Sequence, residues 1–179
     1  MRALFLAAAL ALMAWATPAR ADVQSASASA FTITAEADVA ATPEQTYRAL
    51  THVNRWWNGA HTYSGDARRL SLDPRAGGCW CERWAGGSVE HMRVVLNMEH
   101  EGVRTLRLAG GLGPLQQMGV NAVLTFTVAP APSGAKITMT YRVTGEPGLA
   151  LDQIAGPVNG VLMEQFGRLS RYSASGSPD

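Results

Sequence analysis

Glu82 and His91 carry the clearest chemical potential in this 179-residue chain. They sit in two β-prone runs, Cys79 to Trp84 and Ser88 to Glu99, joined around Gly86-Gly87. A glycine pair at that place favours a two-residue hairpin turn. If the turn is Gly86-Gly87, Ala85 pairs with Ser88, Glu82 faces His91 and Trp80 faces Arg93, each pair sharing a sheet face. A carboxylate beside an imidazole orients a bound molecule or exchanges protons with it. A three-residue loop sets Glu82 opposite Glu90 instead, and two adjacent buried carboxylates push one pKa up. The competing interpretation in either register is a solvated pair on the outer face, with little energetic weight.

Other residues widen the choice. Trp56, Trp57, Tyr63, Trp80 and Trp84 would serve either an aromatic wall around a guest or plain helix–sheet packing. Residues 110–119 form a glycine-rich loop with Leu112, Leu115 and Met118. It lacks the Lys-Ser/Thr of a phosphate loop and no helix follows it, so its expected use is a connector or an apolar lid. Cys79 and Cys81 are the only cysteines. Regular strand geometry holds such a pair too far apart for a disulfide and favours free, half-buried thiols; a bulge would bring them together. With Met92 they offer soft metal ligands, but no Cys-x-x-Cys or His-x-x-x-His spacing accompanies them, and neither metal nor cofactor is expected. A Gly-x-Ser-x-Gly elbow is also absent, which argues against a serine hydrolase.

The elements that must position these groups follow from periodicity. Phe31 to Ala40 alternates as a half-buried strand. Thr42-Pro43-Glu44-Gln45 has the form of a helix start, with Thr42 as cap, Pro43 in the first position and Gln45 closing a capping box. A short helix to about Leu50 and a second turn through Trp56-Trp57 follow. Strands are expected over 67–72, 79–84, 88–99, 103–109, 120–128 and 135–144. In the last pair Leu124, Phe126, Met139 and Tyr141 point to the packed face. The stretch from about Leu149 to Tyr172 is helical, with Ile154, Val158, Val161, Leu162, Gln165, Leu169 and Tyr172 as its apolar stripe. Pro157 either kinks this helix or marks its start.

The first 21 residues have the form of a cleaved export signal: Arg2, an apolar run from Ala3 to Ala16, then Ala19-Arg20-Ala21. Cleavage is expected near Ala21, which places the chain in the periplasm or outside the cell without a stable membrane anchor. Residues 22–30 read as a flexible leader, 31–172 as one domain and 173–179 as a flexible tail. After removal of Arg2 and Arg20 the basic and acidic residues nearly balance. Nothing in that balance attracts nucleic acid.

The order of elements, together with Thr42-Pro43-Glu44 plus Tyr47 and Leu50, Trp56-Trp57, Leu72-Asp73-Pro74-Arg75-Ala76-Gly77-Gly78 and Val89-Glu90-His91-Met92, resembles the START-like or Bet v 1-like (SRPBCC) superfamily. The branch it is similar to is the polyketide-cyclase/Hsp90-ATPase-activator-like group of bacterial proteins. The resemblance implies an α+β helix-grip fold: a curved seven-stranded antiparallel sheet wrapped around the long C-terminal helix, with a cavity between them. Export argues against any Hsp90 role. Ala35, Ala37, Ala122, Gly156 and Gly160 are small enough to leave such a cavity open, and Met92, Met98, Met118, Met139 and Met163 would line it adaptably. The expected ligand-binding set is Trp57, Tyr63, Trp80, Glu82, His91, Leu124, Phe126, Met139, Tyr141 and Leu162. Trp57 leads because the Trp-Trp turn lies near the cavity mouth in the family. Three functions remain open: a carrier of a small hydrophobic or amphipathic molecule, a cyclase/dehydratase-type enzyme using Glu82 or His91 as acid/base, and an interaction module without ligand.

Overall fold

Eight antiparallel strands form one open sheet in the order β1-β2-β8-β7-β6-β5-β4-β3. The computed structural model of the chain describes residues 20–179. The strands are β1 Arg20–Ser27, β2 Ala30–Val39, β3 Leu70–Leu72, β4 Cys79–Trp84, β5 Gly87–His100, β6 Val103–Ala109, β7 Asn121–Ala131 and β8 Gly134–Thr144. Helices α1 Pro43–Thr51 and α2 Val53–Trp56 follow β2, and α3 Leu151–Ser175 closes the chain. The expected α+β helix-grip architecture is present, with eight strands where seven were expected. The export signal expected over residues 1–21 lies outside the described residues except for Arg20 and Ala21, which open β1.

The additional strand is β1, in the segment expected to be a flexible leader. Its small polar residues carry little periodic signal, but the backbone pairs along β2, from Arg20 opposite Glu36 to Ser27 opposite Ala30. A sheet edge offers a row of free N–H and C=O groups, and pairing with it does not require an alternating sequence. At the other end α3 runs to Ser175, three residues past the expected helix end at Tyr172, and Gly176 caps it in the left-handed region. Asp179 then returns to Arg168 in an ion pair, and the Arg171 Nε donates to the Pro178 carbonyl.

Local signals formed most elements as expected. Both halves of the Thr42/Gln45 capping box are made. In β2, Phe31, Ile33, Ala35 and Val39 enter the core. The stretch expected as strand from Ala67 starts instead with a 3-10 turn over Ala67–Arg69, leaving β3 only three residues long. The Asp66 carboxylate imposes that turn by accepting the Arg68 N–H and pairing with the Arg68 side chain. The Asp-Pro-Arg-x-Gly-Gly segment is a second turn. Gly77 adopts a φ of 82°, open to glycine at little cost, and its N–H and the Gly78 carbonyl bond to Val94 of β5.

Helix α3 packs on β1, β2 and β8 and against α1 and α2. Leu151, Ala155, Leu162, Gln165, Phe166 and Leu169 are the side chains it buries. Pro157 is inside the helix, neither its start nor its end. The half of the sheet around β5 is therefore roofed by other elements, which are the turn after α2 and the glycine-rich loop.

Candidate functional site

A cavity of about 470 Å³ opens where those elements meet. Trp57, His61, Thr62 and Tyr63 line it from the turn after α2. Leu112, Gly113, Pro114 and Gln117 line it from the glycine-rich loop. Pro157, Val158, Val161 and Leu162 close it from the first half of α3, and His91 faces it from β5. No charged side chain is among these residues. The size suits a small organic molecule.

His91 reaches this wall through a β-bulge. The hairpin turns at Ala85-Gly86, one residue earlier than expected, so Trp84 pairs with Gly87 and Glu82 with Val89. The Trp84 indole lies across Gly86 and Gly87. Between Trp80 and Cys81 the register shifts: Cys81 faces Glu90, Trp80 faces Met92, and Cys79 faces Arg93. His91 is the extra residue, and it and Met92 are consecutive and both buried. Neither expected register therefore holds, and Trp80 does not face Arg93. Bulges commonly re-aim a side chain in this way. The expectation of free thiols is also corrected: opposite this bulge, on β4, Cys79 and Cys81 form a disulfide across a Cα–Cα distance of 5.3 Å. Regular pleating would spread the pair to about 6.5–7 Å.

Glu82 holds the imidazole from behind. It is 0% exposed, whereas His91 is 7% exposed. Its carboxylate accepts the Tyr63 N–H at 3.0 Å and the Ser64 N–H at 2.5 Å. His91 Nε2 lies 3.1 Å from Oε2 of the same carboxylate. Burial raises the Glu82 pKa, but the bonds from Ser64, Tyr63 and His91 outweigh it and hold the carboxyl below its usual range. Burial lowers the His91 pKa, against the opposing pull of Glu82. At neutral pH the pair is thus a carboxylate and a neutral imidazole. An ionised carboxylate only accepts, so the proton sits on Nε2 and Nδ1 keeps its lone pair. Nδ1 makes no hydrogen bond among the described residues and is not a sealed, orphaned atom. It is open to a guest.

A second imidazole–carboxylate pair stands at the rim. His61 Nε2 is 3.0 Å from Glu164 on α3, whose other oxygen accepts from the Asn58 amide. The Asn58 hydrogen bond and His61 hold the Glu164 carboxyl below its usual pKa range, against a smaller effect of burial. Trp57 Nε1 donates to the His61 carbonyl at 2.9 Å. Tyr63, 54% exposed, sets its ring 5.9 Å from the His91 ring and donates its hydroxyl to the Gly113 carbonyl at 3.3 Å. That bond joins the turn after α2 to the loop. The loop is fixed further inside, because Leu112 N–H donates to the Tyr141 hydroxyl at 3.0 Å and Leu115 is buried.

Of the ten expected ligand-binding residues, Trp57, Tyr63, His91 and Leu162 line the cavity. Glu82 stands one layer back, behind His91. Trp80 also stands back, with its ring edge-on to Trp57 at 5.0 Å. Leu124, Phe126, Met139 and Tyr141 do not line it; they are buried in the core on β7 and β8, the strands against which α1 packs. The small residues and methionines expected in the lining are not there either; Gly156 and Gly160 face solvent. Leu115, expected on an exposed lid, is core. His61, Thr62, Gln117 and Glu164 were not expected at all, and no motif marks them. The only usable signal was on α3, where Val158 and Val161 widen the apolar stripe beyond what the sheet covers.

Comparisons with known proteins agree with this architecture. Residues 30–174 match the profile of a family described as polyketide cyclase/dehydrase and lipid transport. Among solved structures, a protein of Mesorhizobium loti superposes with a TM-score of 0.52 at 18% identity, covering 78% of this chain and 94% of that one. Norcoclaurine synthase of Thalictrum flavum, solved as a point mutant with a transition-state analogue, gives 0.54 at 16% identity, covering 80% and 94%. A protein of Chromobacterium violaceum gives 0.51 at 17%, covering 78% and 94%. At these identities the likeness is one of fold. A comparison with curated protein sequences gives no significant match.

Proposed function

Because the chain belongs to the polyketide cyclase/dehydrase and lipid transport family, within the SRPBCC superfamily, we propose that it is an exported protein that binds one small, mostly apolar molecule in the cavity beside Trp57. The observation that carries this reading is the cavity itself, about 470 Å³, lined mainly by apolar residues of α3, the glycine-rich loop and the turn after α2, with one held imidazole in its wall. Export rests on the sequence of residues 1–21. Among the described residues no helix is long and apolar enough to cross a membrane.

The test uses Nile red, a neutral apolar dye, and native mass spectrometry of the protein recovered from the periplasm of its producing cell. The dye brightens on the wild-type protein and does so less on Val161→Trp, whose indole occupies part of the cavity; the recovered protein carries a small-molecule mass. Equal dye response in both proteins overturns the reading. An intact mass that retains residues 1–21 overturns the export part.

One observation favours a second reading. The Glu82–His91 contact at 3.1 Å is the arrangement a general base needs, with the carboxylate fixing the tautomer and Nδ1 presented to the guest. In that reading His91 removes a proton from a bound polyketide-like substrate and Glu82 is a positioning residue. Turnover lost in His91→Gln, with guest affinity kept, would identify an enzyme. A bound guest that leaves unchanged identifies a carrier.

A further inference from the structure

The side chains lining the cavity are unevenly supplied with hydrogen-bonding capacity. Almost every donor is already spent on the protein. Trp57 Nε1 donates to the His61 carbonyl, the Tyr63 hydroxyl to the Gly113 carbonyl, and the Thr62 hydroxyl to the Gly59 carbonyl at 2.7 Å. Both imidazoles have Nε2 turned to a carboxylate, Glu82 for His91 and Glu164 for His61. Among the lining side chains described, the Gln117 amide is the one donor left over. What faces a guest is mainly acceptors: Nδ1 of His91, the second ring nitrogen of His61, and the lone pairs of Thr62 and Tyr63. The nearest formal charges behind both rings are negative, and no Lys or Arg lines the cavity.

From this accounting we propose that the guest is a small apolar molecule whose polar end is a hydrogen-bond donor, a hydroxyl or a protonated amine, and that carboxylate- and phosphate-ended lipids are excluded. The inference rests on the binding reading above and gives that site its chemical selectivity. An anionic end group would bring acceptors to acceptors, and it would lose its water shell in sight of two carboxylates. A donor end group pairs with Nδ1 of His91, and Glu82 on the far side of the ring polarises that bond in the favourable sense. A protonated amine gains further from the faces of Trp57 and Tyr63.

The experiment measures the dissociation constants of naphthol, naphthylmethylammonium, naphthoate and unsubstituted naphthalene at neutral pH by calorimetry, on the full-length exported protein. These probes share one skeleton and differ in the polar end. Naphthol or naphthylmethylammonium binding about tenfold or more tightly than naphthoate is the expected result, and the tighter of the two distinguishes a hydroxyl guest from an amine guest. Naphthoate binding as tightly as both donors overturns the proposal while leaving the binding reading intact. So does naphthalene matching both donors. Failure of all four probes, naphthalene included, removes the binding reading and the proposal with it. His91→Phe and His61→Phe should each reduce the donor preference. His61 is exposed, so its variant tests the idea even where His91→Phe folds poorly.

Discussion

Replacing Glu82 with glutamine tests the reasoning about the site most directly. The wild-type carboxylate is sealed from solvent and accepts three hydrogen bonds, from Tyr63 N–H, Ser64 N–H and His91 Nε2. Glutamine has almost the same shape but one acceptor oxygen and one NH₂ group. Whichever way the amide is turned, its NH₂ meets a backbone N–H, from Tyr63 in one rotamer and Ser64 in the other. One buried donor is left unpaired, which costs about 1–3 kcal/mol. The remaining bonds lose their charge assistance, worth roughly another 1 kcal/mol. The total expected loss is about 2–4 kcal/mol, read as a lower midpoint in urea with the slope unchanged. The carboxylate is also what opposes the desolvation of His91, so the His91 pKa should fall further in the variant, as followed by NMR titration of the ring. An unchanged urea midpoint, or a His91 pKa that rises, would refute the assignment of Glu82 as an ionised, buried partner.

Three further outcomes follow from the same geometry. Stability should fall on acidification in two stages. His91 is depressed below its usual value near 6.5, so its share is present above that pH and is lost as pH drops toward the folded-state value; Glu82, depressed below 4.5, does the same at lower pH. Thermal melts across the acid range check this, and the first stage should vanish in His91→Gln. Replacing both Cys79 and Cys81 by serine should cost about 1–2 kcal/mol, the chain-entropy value for so short a loop, and should shift the His91 ring resonances because the bulge is no longer tied. Gly110→Ala should cost about 1–3 kcal/mol, since φ there is 141° and a Cβ would stand 2.8 Å from the His91 carbonyl. Gly148→Ala, where nothing lies within 4 Å of the added Cβ, is the matched control and should be near neutral.

Periodicity made most of the fold legible. Alternation in β2, β7 and β8 and the capping box at Thr42 gave elements whose faces point as expected, because local preference and burial agree there. The strand β1 was illegible because its small polar residues show no alternation; pairing along β2 and the packing of α3 hold it. The site was legible in part. Glu82 and His91 stood out by residue type and by nearness to a hairpin, yet the contact forms through a bulge that no pairing rule on a regular ladder predicts. The same irregularity concealed the disulfide. Leu124, Phe126, Met139 and Tyr141 were assigned to the lining because an inward strand face does not say whether it meets a helix or a void. The side of the sheet on which α3 docks decides that, and this depends on contacts between segments over a hundred residues apart.

The division between a pinned imidazole and a roof made of a loop and one helix face has an evolutionary consequence. Substitutions at Leu112, Pro114, Val158 or Val161 reshape the space a guest occupies without touching the ladder that aims His91. Descendants of this chain can therefore change the shape of that cavity through drift on the roof alone, inheriting the same imidazole in its wall. A change on β4 or β5 would disturb anchor, disulfide and hairpin together, and selection should tolerate it far less often.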